Sequence, residues 1–429
     1  MTAAWSTEPY WWDDAPRRAY RVERLPERVD VAIVGAGFTG LSAAIELARA
    51  GRSVLVLDAR RPGEGASARN GGMIGHGHRV GFGTLSKRYG EAKADGIVRA
   101  GLDALSFATG LIEREAIDCD YVRCGRFRGA WTPGHYKAMA AEVELLRTRF
   151  GSEVDLIGPA GTRDEVATER YHGGAVFHAH GGLHPGKFHD GLLRSAEVAG
   201  AVIAGDCPVR AIAGERGAFR LTTGRADLSA REVIVATNAY THGLSRDLAR
   251  RVVPIPSFLV ATEPLGQNRV RSLIPGGRMI VETRSAHCYY RASPDGQRIL
   301  LGARAALHPI APERATARLV QHLTGLFPQL SNVAITHSWM GFVAFTRQDV
   351  PAIGVRDGIH YAIGYGGSGV AMAPFLGFKI AHKLLGDAEG ASGLDDLPFA
   401  AVPFYDGRPW FAPALSWWYR LQDRREGSG

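Results

Sequence analysis

Gly35, Gly37 and Gly40 stand between an apolar run, Val29-Asp30-Val31-Ala32-Ile33-Val34, and a stretch with helical spacing. A second apolar run, Ser53 to Leu57, ends at Asp58, eighteen residues after Gly40. Strand, tight turn, helix, strand and acid in that order restrict this part of the chain to a β-α-β unit with parallel strands. Gly35 permits the turn, Gly37 lets backbone approach a pyrophosphate, and Gly40 lets helix and strand pack closely. Free N–H groups at the helix start face the anion, and Asp58 accepts hydrogen bonds from a ribose hydroxyl. The expected contacts with a dinucleotide are Gly35, Gly37, Phe38, Thr39 and Gly40, then Asp58, Ala59 and Arg60.

The first helix is predicted from Phe38 to Ala50, on the recurrence of Phe38, Leu41, Ile45 and Ala48, with Gly51 just past its end. Further helices are predicted over 91–117, 135–150, 187–199 and 313–326. Strands are expected around 175–183, 202–203, 209–212, 233–236 and 252–263. Residues 287–304 read as two strands around the turn Ser293-Pro294-Asp295-Gly296. Near the C-terminus the strand-turn-helix form recurs, as Ile359 to Ile363, Gly364-Tyr365-Gly366-Gly367-Ser368-Gly369-Val370, and a helix to Leu385. A second glycine turn suits a long cofactor held at two ends. It would set N–H groups and a positive helix end against a flavin ring. A nicotinamide enzyme has no such need, which disfavours an NAD-dependent dehydrogenase.

The length of 429 residues implies two domains. The net charge of +8 does not indicate nucleic acid, because the arginines are scattered and no basic block is interleaved with aromatics. No apolar run approaches a membrane span, and Trp5, Trp11, Trp12, Asp13 and Asp14 stand where a signal peptide would have a basic segment followed by an apolar one, so none is expected. A cytoplasmic location is therefore expected. The short Trp417-Trp418-Tyr419-Arg420 segment reads as a tail packed on its own domain instead of a membrane anchor. Four cysteines, Cys119, Cys124, Cys207 and Cys288, form neither a disulfide framework nor a zinc pattern, so no metal is expected.

Several pieces in this order resemble the FAD-dependent amine and D-amino-acid oxidase superfamily, and within it the gamma-glutamylputrescine oxidase-like branch. They are Val31 to Ser42, Gly65-Ala66-Ser67-Ala68-Arg69-Asn70-Gly71-Gly72, Leu183-His184-Pro185, Val235 to Tyr240, Phe327 to Leu330 and Gly364 to Val370. The resemblance implies an α/β two-domain flavoprotein. One domain is an interrupted Rossmann-like FAD-binding domain, over 1–84, 184–246 and 334–429. The other is a substrate domain of antiparallel sheet and helices, over 85–183 and 247–333. It adds Ser67, Arg69, Asn70, Gly71, Gly72, Met73, Val209, Thr237, Gly366, Gly367, Ser368, Gly369 and Val370 to the FAD contacts. The implied reaction is hydride transfer from the carbon beside an amine nitrogen to flavin N5, giving an imine that water hydrolyses to an aldehyde or ketone. Such chemistry asks the protein to orient a C–H bond, favour the neutral amine and exclude water.

Departures from the family narrow the expectation. Asn70 occupies the position of a flavin-linking histidine, and Gly341 to Thr346 holds no cysteine, so FAD should be non-covalent. After Trp339, Val343 stands where α-amino-acid oxidising relatives place a carboxylate-clamping arginine. Leu300 stands where an oxygen-activating lysine lies in sarcosine-oxidase relatives, with a register that can slip by one. The substrate-pocket candidates are His76, Tyr289, Tyr290, Arg304, Trp339 and Val343, with His78 beside the first, and only one of the two tyrosines can face the pocket. The expected partners are a small-molecule primary or secondary amine and an electron acceptor, oxygen or another carrier. Nucleic acid and membrane are not expected. The rivals are an α-amino-acid dehydrogenase using Arg304, and a non-catalytic flavin-binding subunit.

Overall fold

The computed structural model describes residues 5–20, 22–284 and 287–412. The Trp417 to Arg420 segment lies outside them. Among the described residues no helix is long and apolar enough to cross a membrane.

Arg28–Val34 sits in the middle of an eight-stranded sheet. It pairs in parallel with Val54–Leu57 on one side and Asp227–Val235 on the other. Val202–Ala204 and Ile359–Ile363 extend the parallel order outward, and Ala352–Arg356 closes one edge antiparallel. Every residue of Val54–Leu57 is buried. Such unbroken apolar runs suit a parallel strand covered on both faces, and would waste one face of a solvated sheet. The chain enters this sheet in three separate passes, which is the interrupted layout. Helices Phe38–Arg49 and Gly369–Leu385, each opened by one of the glycine turns, pack on it side by side.

A second eight-stranded sheet runs in the order Ile335–Thr346, Val252–Thr262, Ile299–Ala303, Cys288–Ala292, Met279–Glu282, Arg126–Gly129, Gly174–Phe177 and Val154–Ile157. All its pairings are antiparallel except that of Met279–Glu282 with Arg126–Gly129. Ile335–Thr346 bonds along its length to Val252–Thr262 in this sheet, although the expected boundary at 334 grouped it with the nucleotide sheet.

Period-two alternation sorts this sheet into two faces. Phe127, Ile280, Cys288, Tyr290 and Leu301 point one way, into a core completed by Leu319, Leu323 and Leu326 of the helix Pro312–Leu326. Arg126, Arg128, Val281 and Tyr289 point the other way, toward the nucleotide sheet. That second face is where the site lies.

Candidate active site

The first glycine turn is built for close approach. Gly35 has φ +109°, a region that side chains rarely tolerate, and a Cβ there would sit 2.8 Å from the Ala236 carbonyl oxygen. A Cβ at Gly40 would run into the Gly35 carbonyl oxygen. Asp58 accepts from the Ala36 and Arg60 backbone N–H groups at 2.9 and 3.0 Å. It thereby ties the turn to the second strand and keeps further lone pairs for a ribose. Burial raises its carboxyl above the usual carboxylate value, and these two N–H bonds oppose that shift. Ser67 Oγ accepts from Phe38 N–H, so the early glycine loop is bound to the helix start. Thr39 Oγ1 meets Tyr365 Oη at 2.5 Å, and Tyr365 Oη donates to Ala362 O, which links the two glycine turns directly. Thr237 lies against the same turn with its hydroxyl on Thr241, and Val209 opens the strand Val209–Ala213. Ala59 and Arg60 follow Asp58 on the exposed surface. This cradle fits the pyrophosphate and ribose of FAD.

The loop from Ala66 to Gly72 is held from behind. Trp12 Nε1 donates to Ala68 O, Trp339 Nε1 to Arg69 O and Trp11 Nε1 to Asn70 O, at 2.7–3.0 Å. Arg291 donates to the Gly72 and Leu183 carbonyls and lies over the Trp11 ring. The Asn70 side chain donates to Ala66 O and Ser67 O and accepts from Gly72 N–H. Trp339 therefore clamps the loop and does not line the cavity, contrary to expectation. The Trp11 and Trp12 contacts were not visible in sequence, because nothing in an N-terminal arm names the carbonyls it will reach.

In front of this loop opens a cavity of about 660 Å³. It is lined by Arg69, Asn70, Gly71 and Met73 on one side and by Gly366, Gly367, Ser368 and Val370 of the second turn. Ser257, Leu259, Tyr289 and Val343 come from the second sheet, and Arg304 directly follows its strand Ile299–Ala303. Of the two adjacent tyrosines, Tyr289 faces the cavity. Its ring fills the space over Gly302 and comes 2.8 Å from where a Gly71 Cβ would be, and its hydroxyl meets Ser257 Oγ at 3.0 Å. Tyr290 is a correction: it points into the opposite core, where its hydroxyl bonds Tyr171. Leu300 is likewise buried away from the cavity, beside Trp11 and Trp339.

His76 and His78 both reach the cavity wall, together with His180, His287, Arg126, Arg128 and Arg284, which sequence reasoning missed. The signal was present in Arg126-Phe127-Arg128-Gly129, where charged and apolar residues alternate. Arg128 pairs with Glu142 at 2.5 Å, and Arg284 pairs with buried Glu282 at 2.6 Å. Arg304 lies over the Phe345 ring. Burial lowers His76 to about 4, with Arg126 adding to the effect, and His287 to about 3, with Arg304 adding. The cavity is thus rich in guanidinium groups, and these histidines stay neutral at ordinary pH. Among the described residues no cluster of metal-binding side chains occurs.

A nucleotide sheet with two glycine turns, and a second sheet facing a cavity between them, define a two-domain flavoprotein oxidoreductase. The chain belongs to the DAO family of FAD dependent oxidoreductases, which it matches over residues 30–383. It is 32% identical to "Probable oxidoreductase OrdL" of Rhizobium meliloti, with 97% of each chain covered. It is also 32% identical to gamma-glutamylputrescine oxidoreductase of Escherichia coli, over 92% of this chain and 93% of the other. Its fold is similar to that of glycine oxidase from Geobacillus kaustophilus, at a TM-score of 0.70 and 21% identity, covering 88% of this chain and 99% of that one.

Proposed function

We propose that the protein oxidises a primary or secondary amine at the carbon bearing nitrogen, with the interrupted domain layout given above, Ile335–Thr346 passing to the substrate sheet, and with FAD bound non-covalently. The observation that carries this reading is the cavity bounded by the early loop, the second glycine turn and Tyr289, with apolar Val343 in its wall. FAD, when bound, supplies the hydride acceptor at its N5 position. The chain's own residues shape the rest. Tyr289 and Leu259 form a wall that excludes water, and Ser257 fixes the Tyr289 hydroxyl. Burial raises the Tyr289 hydroxyl to about 12, so it remains a neutral hydrogen-bond donor at ordinary pH. The similarity to gamma-glutamylputrescine oxidoreductase supports an amine as substrate.

Anaerobic mixing of the yellow holoenzyme with matched pairs, an amine and its α-carboxylated counterpart, tests the reading. The amine is expected to bleach the flavin faster. Much faster bleaching by the α-amino acid, abolished in Arg304→Ala, would replace the amine reading with the amino-acid one. Non-covalent attachment is supported by Asn70, whose amide is spent inside its own loop, and by a described cavity wall that contains no cysteine. Acid precipitation is expected to leave the flavin in solution. A yellow pellet carrying a flavinylated peptide would contradict it.

A further inference from the structure

Arg126 differs from the other cavity arginines. Arg128 and Arg284 have glutamate partners, Arg79 reaches Asp349 at 3.3 Å, and Arg69 donates to the Glu64, Gly65 and Met340 carbonyls. Arg126 has no ion pair and no side-chain hydrogen bond among the described residues, and its Nε is shut off from solvent. A half-buried guanidinium whose Nε is closed off and which has no counter-charge is left under-satisfied unless a ligand in the cavity supplies the anion.

A second group converges on the same place. His180 is 2% exposed and stacks on Phe177. Its Nε2 accepts from the His76 backbone N–H at 3.3 Å. A neutral imidazole that accepts at Nε2 carries its proton on Nδ1. That Nδ1 is buried and has no partner among the described residues. Both groups crowd Gly75: a Cβ there would lie 2.6 Å from His180 Nδ1 and 2.9 Å from an Arg126 terminal nitrogen. Burial and the Arg126 charge hold His180 well below its usual value, so it stays a neutral donor beside a cation. Two donors without acceptors, one charged and one neutral, therefore meet on the cavity wall.

We propose that Arg126 and His180 form a carboxylate-binding subsite, and that the amine oxidised here carries its carboxylate several bonds from the reacting carbon. The planar guanidinium matches a carboxylate in two-point geometry. The spacing follows from the sheet. Tyr289 lies opposite Val281, and Val281 opposite Arg128, so the Tyr289 and Arg126 strands are two spacings apart. Arg126 is two residues further along. Strand spacing and rise place the Tyr289 and Arg126 Cα atoms roughly 12 Å apart. The side chains keep the two places apart, Tyr289 packing against Gly71 and Arg126 against Gly75 four residues further along the loop, so a substrate whose reacting carbon lies beside Tyr289 reaches Arg126 with a carboxylate several bonds away and not with an α-carboxylate. Arg126 acts here as a specificity-determining residue for the amine oxidation proposed above, and the inference rests on that reading.

The test separates the two claims by using a ligand that cannot be oxidised. Valerate and its neutral isostere valeramide are titrated into oxidised holoenzyme, with binding followed by calorimetry and by perturbation of the flavin spectrum. Wild type is expected to bind valerate at least tenfold more tightly. Arg126→Gln should erase the preference, and Arg126→Lys should retain part of it. In anaerobic flavin reduction, δ-aminovalerate should outpace n-pentylamine through a lower KM in wild type only. Equal binding of valerate and valeramide by wild type overturns the subsite, whatever the folding of the variants. A valerate preference that survives in Arg126→Gln also overturns it. A preference that depends on Arg126, with no bleaching by any amine, leaves the subsite standing and removes the amine reading.

Discussion

Gly40→Ala is expected to give a folded but colourless protein. The new methyl group would enter the space of the Gly35 carbonyl oxygen and lie 3.1 Å from the Ile33 Cγ2 atom. Neither neighbour can step aside easily. The Gly35 N–H is bound to Leu57 O at 2.8 Å, and Ile33 is fully buried in the central strand. Relief requires the helix Phe38–Arg49 to slide outward, and that helix is buried against the sheet and against Gly369–Leu385. Overpacking of this kind costs about 1–3 kcal/mol, and more where backbone is the obstacle. The displacement falls on the N–H groups that face the pyrophosphate, so flavin binding should suffer more than folding. The comparison is Gly51→Ala, where a Cβ would meet nothing within 4 Å among the described residues and only the positive φ of +76° is penalised, by about 1–2 kcal/mol. The ratio of flavin to protein absorbance after purification, beside a circular dichroism melt, reads both. Full flavin occupancy in Gly40→Ala would refute the assignment of the first turn.

Acid should unfold the protein well above the range where its carboxylates protonate. Burial holds His76, His184 and His322 down at about 4 and His287 at about 3, with Arg126, Lys187, Arg284 and Arg304 respectively adding to the effect. The unfolded chain takes these protons near pH 6.5. Between that pH and about 4 the unfolded state binds more protons than the folded one. Stability is therefore full above pH 6.5 and is lost as the pH falls through that window. Each histidine contributes up to about 1.4 kcal/mol per pH unit there, against whole-domain stabilities of about 5–15 kcal/mol. His184 adds a structural reason, because its Nδ1 accepts from Lys187 N–H as the cap of the helix Pro185–Val198, and a protonated ring cannot accept. Melting temperatures measured between pH 7 and 5 should fall steeply, with flavin fluorescence appearing at the same transition. A flat profile would show that these rings are hydrated in the folded protein.

What is legible in the amino-acid sequence of this protein is what local pattern determines. The glycine turns, their flanking strands and the helices beginning at Phe38 and Gly369 each depend on neighbours within a few residues, and each lies where its pattern placed it. Alternation also stated that only one of Tyr289 and Tyr290 could face the pocket. It could not say which, because that depends on which side of the sheet receives the helix Pro312–Leu326. Trp339 read as a pocket residue from its motif, yet its indole is turned toward Arg69 O by a loop 270 residues away in sequence. Arg126 was invisible for a similar reason. A surface arginine and an unpaired cavity arginine look alike in sequence, and only the positions of Glu142, Glu282 and Asp349 show which cations already have partners.

The tryptophan contacts behind the early loop bear on how the protein assembles. The carbonyls of Ala68, Arg69 and Asn70 are satisfied by indoles 56, 270 and 59 residues distant. Long-range contacts form only after the entropy of closing the intervening chain has been met. The loop therefore cannot reach its final shape until an early arm and a late strand have both docked on it. Flavin capture therefore depends on both, and a chain in which either the arm or the late strand is displaced presents an unfinished early loop to the cofactor.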